Sequence, residues 1–235
     1  MLKKAWFPSD KGLKYLSIYS LEISPDLKGC KISSLKKSGI KKILILVGYK
    51  SKKIINFYSK NKDIPITFNF SSIKSDTGKR VLDAYKCLDD EFLLLYGDNF
   101  WVPNIHKMYK KFKMNKALIS TTVFNNKLGT AEYGKQNNVY VKKNLFVEKY
   151  DKSRSYKKLN GVDIGFFIVK KKFLNFFREK KMNYSFENNI IAKAIELKKL
   201  IAFTNNQQYF SITNYKMLNK FKKISKIKKL TYIKL

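Results

Sequence analysis

Ile43-Leu44-Ile45-Leu46-Val47 is an unbroken run of β-branched and leucine residues closed by Gly48-Tyr49. A run of strand length with no polar interruption predicts a strand buried on both faces. Phe92-Leu93-Leu94-Leu95-Tyr96 repeats the pattern and ends at Gly97-Asp98. Between these runs, Ser51 to Tyr58 puts Ile54, Ile55 and Tyr58 on one face with lysines elsewhere, the 3.6-residue period of a surface helix. Ile66 to Phe70 then predicts a strand and Lys79 to Leu88 a helix. Downstream, a helix is expected over Asn104 to Met114 and a strand over Ala117 to Phe124, followed by a polar stretch from Asn125 to Gln136 holding Gly129 and Gly134. Shorter strand patterns fall at Val139 to Val141 and Leu145 to Val147, and a stronger one at Gly165 to Val169. Helices follow at Lys171 to Lys180 and at Phe186 to Lys198, the second entered through Ser185 as N-cap. Strands at Leu200 to Phe203 and Tyr209 to Ile212 lead to a last helix over Asn214 to Lys223.

Buried strands alternating with helices predict an α/β fold: a doubly wound, mostly parallel central sheet with helices on both faces. No repeat and no Pro/Gly/Ser linker divides the chain, so one domain is expected over residues 1–235, with an atypical segment at 1–30 and a basic tail at 225–235. In such sheets ligands bind beyond the carboxyl ends of the strands, which directs attention to Gly48 and to Gly97-Asp98.

The chain has 235 residues, 44% hydrophobic, enough to bury a real core, and its 50 Lys+Arg against 17 Asp+Glu give a net charge of +33. Nucleic acid or an anionic membrane must therefore be weighed as a partner. Yet only Arg80, Arg154 and Arg178 are arginines, and lysine lacks the planar fork that reads guanine edges and phosphates. The lysines are spread along the whole chain, without the aromatic-plus-basic signature of an RNA-binding sheet, so no specific nucleic acid is expected. A phosphate-bearing substrate would benefit from the charge in any case. Cys30, Cys87 and the single His106 provide neither a disulfide framework nor a zinc cluster. A reducing, cytoplasmic setting is the expectation. The apolar runs fall short of a membrane span, and the start offers no stretch long enough for a signal peptide.

Asp98 stands out chemically. A carboxylate at the tip of a buried strand, preceded by glycine, can hold Mg²⁺ against phosphate oxygens; the same Gly-Asp could equally be a plain turn that opens the helix carrying His106. Glu148-Lys149 would suit a sugar phosphate, the glutamate accepting from hydroxyls and the lysine neutralising the phosphate; the alternative is an exposed ion pair of little weight. Asp76-Thr77-Gly78-Lys79-Arg80 offers backbone N–H groups at a helix start, suited to an anion or a base edge.

In this order, the segments resemble the sugar-1-phosphate nucleotidyltransferases, which join a nucleoside monophosphate from an NTP to a sugar 1-phosphate and release pyrophosphate. Leu35 to Ile40, the strand up to Val47, Gly48-Tyr49 and Ile54 to Tyr58 are similar to the family's helix ending Gly-Ile, strand, Gly-Tyr and short helix. Asp76 to Arg80 stands where the family has a nucleoside-contacting Gly-Thr loop, which the resemblance assigns to Thr77 and Gly78. Phe92 to Asp98 resembles the strand whose aspartate binds the metal. Tyr133-Gly134 resembles the Tyr-Gly whose glycine backbone touches the sugar, and Val147-Glu148-Lys149 the Glu-Lys that holds sugar hydroxyls and phosphate. Asn160 to Gly165 resembles the segment lining the sugar pocket, where members acting on heptose or mannose phosphates carry an aspartate, here Asp163. The resemblance implies Mg²⁺ as cofactor, an NTP and a sugar 1-phosphate as substrates, a homo-oligomer as one assembly, and nucleotide-sugar supply to surface polysaccharide as the role.

Three departures accompany it. The family opens with a strand and a glycine-rich loop that clamps the NTP phosphates; here only Lys11, Gly12 and Lys14 could be its remnants, beside Pro8 and Asp10. Around Pro25 the family's lysine is replaced by Ser24 or Asp26, with Lys28 nearest. The family's second metal-binding aspartate, in Asp-x-Gly-Thr, is replaced by Ser211 in Ser211-Ile212-Thr213-Asn214. A catalytically impaired member that binds sugar phosphate or nucleotide, and a basic nucleic-acid-binding or membrane-surface protein, are therefore the competing expectations.

Overall fold

In the computed structural model, the residues described are 14–18, 35–36, 38–60, 62–179 and 182–227. Seven strands among them form one sheet: β1 (Lys14–Ile18), β2 (Lys42–Val47), β3 (Ile66–Phe70), β4 (Glu91–Tyr96), β6 (Ile119–Phe124), β9 (Val162–Lys170) and β10 (Leu200–Asn205), ordered β10-β6-β9-β4-β1-β2-β3. Two small pairs stand outside it, β5 (Asn99–Phe100) with β11 (Phe210–Ser211) and β7 (Val139–Val141) with β8 (Val147–Tyr150).

The period-2 geometry of a strand explains why the apolar runs are continuous. Leu44, Leu46, Phe92, Leu94 and Phe167 are buried on one face against Val81 of α2 (Thr77–Asp83) and Phe186 and Ile190 of the turn-and-helix that runs from Phe186 through α4 (Ala192–Glu196). Their neighbours Ile43, Ile45, Leu93, Leu95 and Phe166 are buried on the other, against Tyr58 of α1 (Ser51–Tyr58) and Met108 and Phe112 of α3 (Ile105–Met114). The α/β expectation holds. The sheet is mixed, because β9 runs antiparallel to both β4 and β6; an apolar run reports burial and not direction.

Three other differences matter. β1 lies between β2 and β4, parallel to both, yet its sequence Lys-Tyr-Leu-Ser-Ile carries a serine within a short pattern. The strand pattern expected from Gly165 begins three residues earlier, at Val162. The last helix, α5 (Tyr215–Ile227), carries the chain into the expected basic tail. No helix among the described residues is long and apolar enough to cross a membrane.

Candidate active site

Gly97-Asp98 forms the turn after β4, where Asp98 is half-buried and its carbonyl accepts from the Ile212 amide at 2.7 Å. The next residue, Asn99, lies opposite Ser211 in the β5–β11 pair. The two positions the resemblance assigns to metal binding are thus brought together by one short hairpin-like contact. Ser211 Oγ donates to Glu132 at 2.8 Å, and Thr213 Oγ1 donates to the other oxygen of the same carboxylate at 3.0 Å. A divalent cation at this turn would meet oxygen donors only: Asp98, the Ser211 hydroxyl, and Glu132 one hydrogen bond behind it. Among the described residues, no group of three or more His, Cys, Asp or Glu side chains encloses a metal. Such an open oxygen set suits Mg²⁺, which keeps waters and takes substrate phosphate oxygens as ligands.

Since β9 runs antiparallel, its amino end lies beside the carboxyl ends of β4 and β6, with Asp163 opposite Val123. A bulge in the β6–β9 register lies here, and Gly165 takes φ +72°. A Cβ at Gly165 would meet Tyr96 Cδ2 at 2.7 Å and Asn99 Nδ2 at 3.2 Å. Glycine therefore lets the end of β4 close over β9, a common use of bulges beside sites. Asp163 accepts from Thr121 Oγ1 at 2.5 Å, from Tyr150 Oη at 3.3 Å and from its own neighbour Gly165 N at 3.2 Å.

Beside it, Tyr96 Oη donates to Glu187, a carboxylate 6% exposed. Glu187 also accepts from Ser185 Oγ at 3.1 Å, Thr77 Oγ1 at 3.4 Å and Lys152 Nζ at 3.1 Å. Burial, then the Glu187 charge, pushes the Tyr96 hydroxyl well above its usual pKa, and burial with Asp163 does the same to Tyr150. Both stay protonated hydroxyls, able to donate. Asp163 itself is pushed up to about 6 by burial, against the hydrogen bonds that favour its charge.

That shift has a sign. Between 3.8, its ordinary value, and about 6 the folded chain holds a proton the unfolded chain has released, so this group's contribution to stability falls as pH rises through that window. Asp163→Asn removes the slope. The melting temperature of the variant relative to wild type is expected to climb between pH 4 and pH 7, measured by thermal melts across buffers; a constant difference would place the titration elsewhere.

Lys11 and Gly12 lie outside the described residues. Lys14 begins β1 and pairs with Lys42 and Phe92 at the amino ends of their strands, the sheet edge opposite Asp98. Of the amides that open α2, Thr77 N donates to the Asp76 carboxylate at 2.6 Å and Lys79 N to the Tyr184 carbonyl at 2.9 Å. The Lys79 bond, with Phe186 N donating to Thr77 Oγ1 at 2.9 Å, docks α2 onto the segment carrying Glu187. Gly134, at φ +60°, closes the Ala131–Gly134 turn that presents Glu132. Glu148 is exposed and pairs with Lys142 at 3.0 Å. Lys149 is exposed beside Tyr156, Lys157 and Lys158 around a surface cavity. Strand alternation sends Tyr150 to the buried cluster and Lys149 the other way, so the ammonium that reaches the cluster is Lys152.

Glu132, Tyr150, Lys152 and Glu187 escaped the sequence reading. Glu132 adjoins the Tyr-Gly pair, and Glu187 follows the Ser185 N-cap by two residues; neither spacing announces a tertiary partner. Gly78→Ala tests the docking. Its Cβ would lie 2.7 Å from the Tyr184 carbonyl oxygen and 3.0 Å from Phe186 N, both backbone atoms. The variant is expected to lose about 1–3 kcal/mol to overpacking, read as a lowered melting temperature; an unchanged melt would show that the two segments separate freely.

No protein-family model matches the chain. Over 80 residues it is 28% identical to a UTP–glucose-1-phosphate uridylyltransferase, AglF, of Haloferax volcanii, a match covering 34% of this chain and 33% of that one. The aligned part is thus about a third of that relative's length. Among solved structures, HddC from Yersinia pseudotuberculosis superposes with a TM-score of 0.69 at 14% identity, covering 89% of this chain and 99% of that one; it has also been solved with GMP-PN. A Bacillus anthracis protein assigned as a glucose-1-phosphate thymidylyltransferase gives 0.75 at 11% identity, covering 92% and 95%. The chain therefore has the fold of these solved structures across about nine-tenths of its length, as the order of its motifs implied.

Proposed function

We propose that this chain transfers a nucleoside monophosphate from an NTP to a sugar 1-phosphate, releasing pyrophosphate. The observation that carries the proposal is the juxtaposition, at one sheet edge, of the Asp98–Ser211 turn with the buried hydroxyl–carboxylate cluster of Tyr96, Tyr150, Asp163 and Glu187. A sugar ring is a fan of hydroxyls, and a pocket reads it by alternating fixed acceptors and donors. Asp163 and Glu187 take the single protons of Tyr150 and Tyr96, which leaves the tyrosine oxygens and the remaining carboxylate lone pairs as fixed acceptors for sugar hydroxyls, and Lys152 brings a positive charge to the rim for the phosphate. Asp98, with the Ser211 hydroxyl, would hold Mg²⁺, whose contribution when bound is to neutralise the triphosphate charge. The remainder of the protein's work is positioning: the sugar-phosphate oxygen must sit in line with the α-phosphorus and the departing pyrophosphate.

Such an activity fits the cytoplasm, where NTPs are abundant, and the supply of nucleotide sugars for surface polysaccharide. A pyrophosphate-release assay over the four NTPs and a panel of hexose and heptose 1-phosphates tests it. Mg²⁺-dependent turnover with one pairing is the expected result. Background rates throughout, with sugar phosphate still bound, would instead make the chain a binding subunit.

A further inference from the structure

The three arginines of this lysine-rich chain are used differently. Arg154 lies 4.3 Å over the Tyr133 ring and donates to the Gln136 carbonyl at 3.1 Å. Arg178 lies 3.9 Å over the Tyr85 ring. Arg80, on the fourth residue of α2, stacks on no ring among the described residues. Its Nε donates to the Ser75 carbonyl at 3.0 Å, and its guanidinium lies against Gly48, at the carboxyl end of β2. A Cβ at Gly48 would stand 2.3 Å from Nη1, 2.9 Å from Nη2 and 3.0 Å from Cζ. The missing side chain is the space the guanidinium fills. Neither Nη1 nor Nη2 has a hydrogen-bond partner among the described residues, although Asp76 and Asp83 lie close enough to favour the charge while partial burial opposes it.

The sheet order β4-β1-β2 sets Gly48 and Asp98 two strands apart, about 10 Å at ordinary strand spacing, with the carboxyl end of β1 between them. That is the span of a polyphosphate.

We propose that Arg80 is the phosphate grip of this site: its free fork binds the phosphate oxygens of the nucleotide on one side of β1 while Asp98 serves the other. The proposal rests on the nucleotidyltransferase reading and adds to it a residue on a different element from the amino-terminal loop. A planar fork with two unspent N–H pairs grips phosphate bidentately, which no lysine does.

Inorganic pyrophosphate is the probe, titrated calorimetrically at fixed ionic strength into wild type, R80Q, R80K and G48A, with unphosphorylated nucleosides in parallel. Loss of a charge-assisted bidentate contact is expected to weaken pyrophosphate binding in R80Q by at least about tenfold, with R80K recovering only part of it. Gly48 has no positive φ, so alanine suits its backbone and the added methyl acts on the guanidinium; G48A should match R80Q, and reports on the same point should R80Q fail to fold. Exposed Lys110→Gln is expected to bind as wild type, separating a fixed grip from diffuse charge. R80Q and G48A both binding pyrophosphate within twofold of wild type overturns the Arg80 proposal alone, as does a loss confined to the nucleosides. Wild type that binds neither pyrophosphate nor nucleotide and shows no turnover overturns the nucleotidyltransferase reading beneath it.

Discussion

Asp98→Ala is expected to lower pyrophosphate release by about three orders of magnitude, the scale of removing one preorganised electrostatic stabiliser from a charge-transfer site. The reason is local. Ser211, across the β5–β11 pair, offers a neutral oxygen, and Glu132 accepts from that hydroxyl, so the carboxylate lost with Asp98 is replaced by no charged oxygen at position 211. Glu132→Gln should then show a milder loss, since it removes a charge one hydrogen bond further back. Mn²⁺ binding followed by electron paramagnetic resonance, in the presence of pyrophosphate, checks the cause independently of turnover. Both signals should fall together in Asp98→Ala. A variant that keeps its rate within threefold removes Asp98 from the mechanism, and one that loses rate while binding Mn²⁺ normally gives it a role other than holding the cation.

Much of this geometry was visible in the sequence where burial dominates it. β2 and β4 are sandwiched between two helical layers, so both faces must be apolar and the runs at Ile43 to Val47 and Phe92 to Tyr96 are continuous; the glycines that end them mark the carboxyl edge of the sheet. Ser185 was legible as an N-cap, and its side chain does accept from Asn188 N at 3.2 Å. What was illegible depends on partners distant in sequence. β1 has a short, interrupted pattern, and only its pairing with β2 and β4 shows Lys14 at the amino end of a central strand. β9 reversed the direction that alternation suggests, which put Asp163 at the same edge as Asp98. Glu187 reads locally as an acidic residue in a helix's first turn, favourable there for the dipole alone; Tyr96 and Lys152 reach it from 91 and 35 residues away. Lys149 and Lys152 are equivalent in composition, and only strand alternation with the loop that follows separates their directions.

Glu187→Ala is the second large effect. The carboxylate collects hydrogen bonds from three hydroxyls, those of Tyr96, Thr77 and Ser185, and from the Lys152 ammonium, while itself almost entirely buried. Deleting it leaves buried hydroxyls without acceptors, each unsatisfied group costing about 1–3 kcal/mol. With Lys152 half-exposed and free to return to water, a net loss of about 3 kcal/mol is expected, or roughly 6–12 °C of melting temperature for a chain of this size. Glu187→Gln separates architecture from recognition. The amide keeps the shape and one acceptor, so most of the stability should survive, but its NH₂ cannot accept from a sugar hydroxyl and its neutrality releases Lys152. KM for the sugar 1-phosphate should therefore rise by about tenfold, the worth of one hydrogen bond to a charged acceptor, while the affinity for pyrophosphate stays as in wild type. Equal damage to both ligands would assign Glu187 to the scaffold. A KM unchanged in Glu187→Gln would take it out of the sugar pocket, leaving Asp163 and the two tyrosines to read the ring.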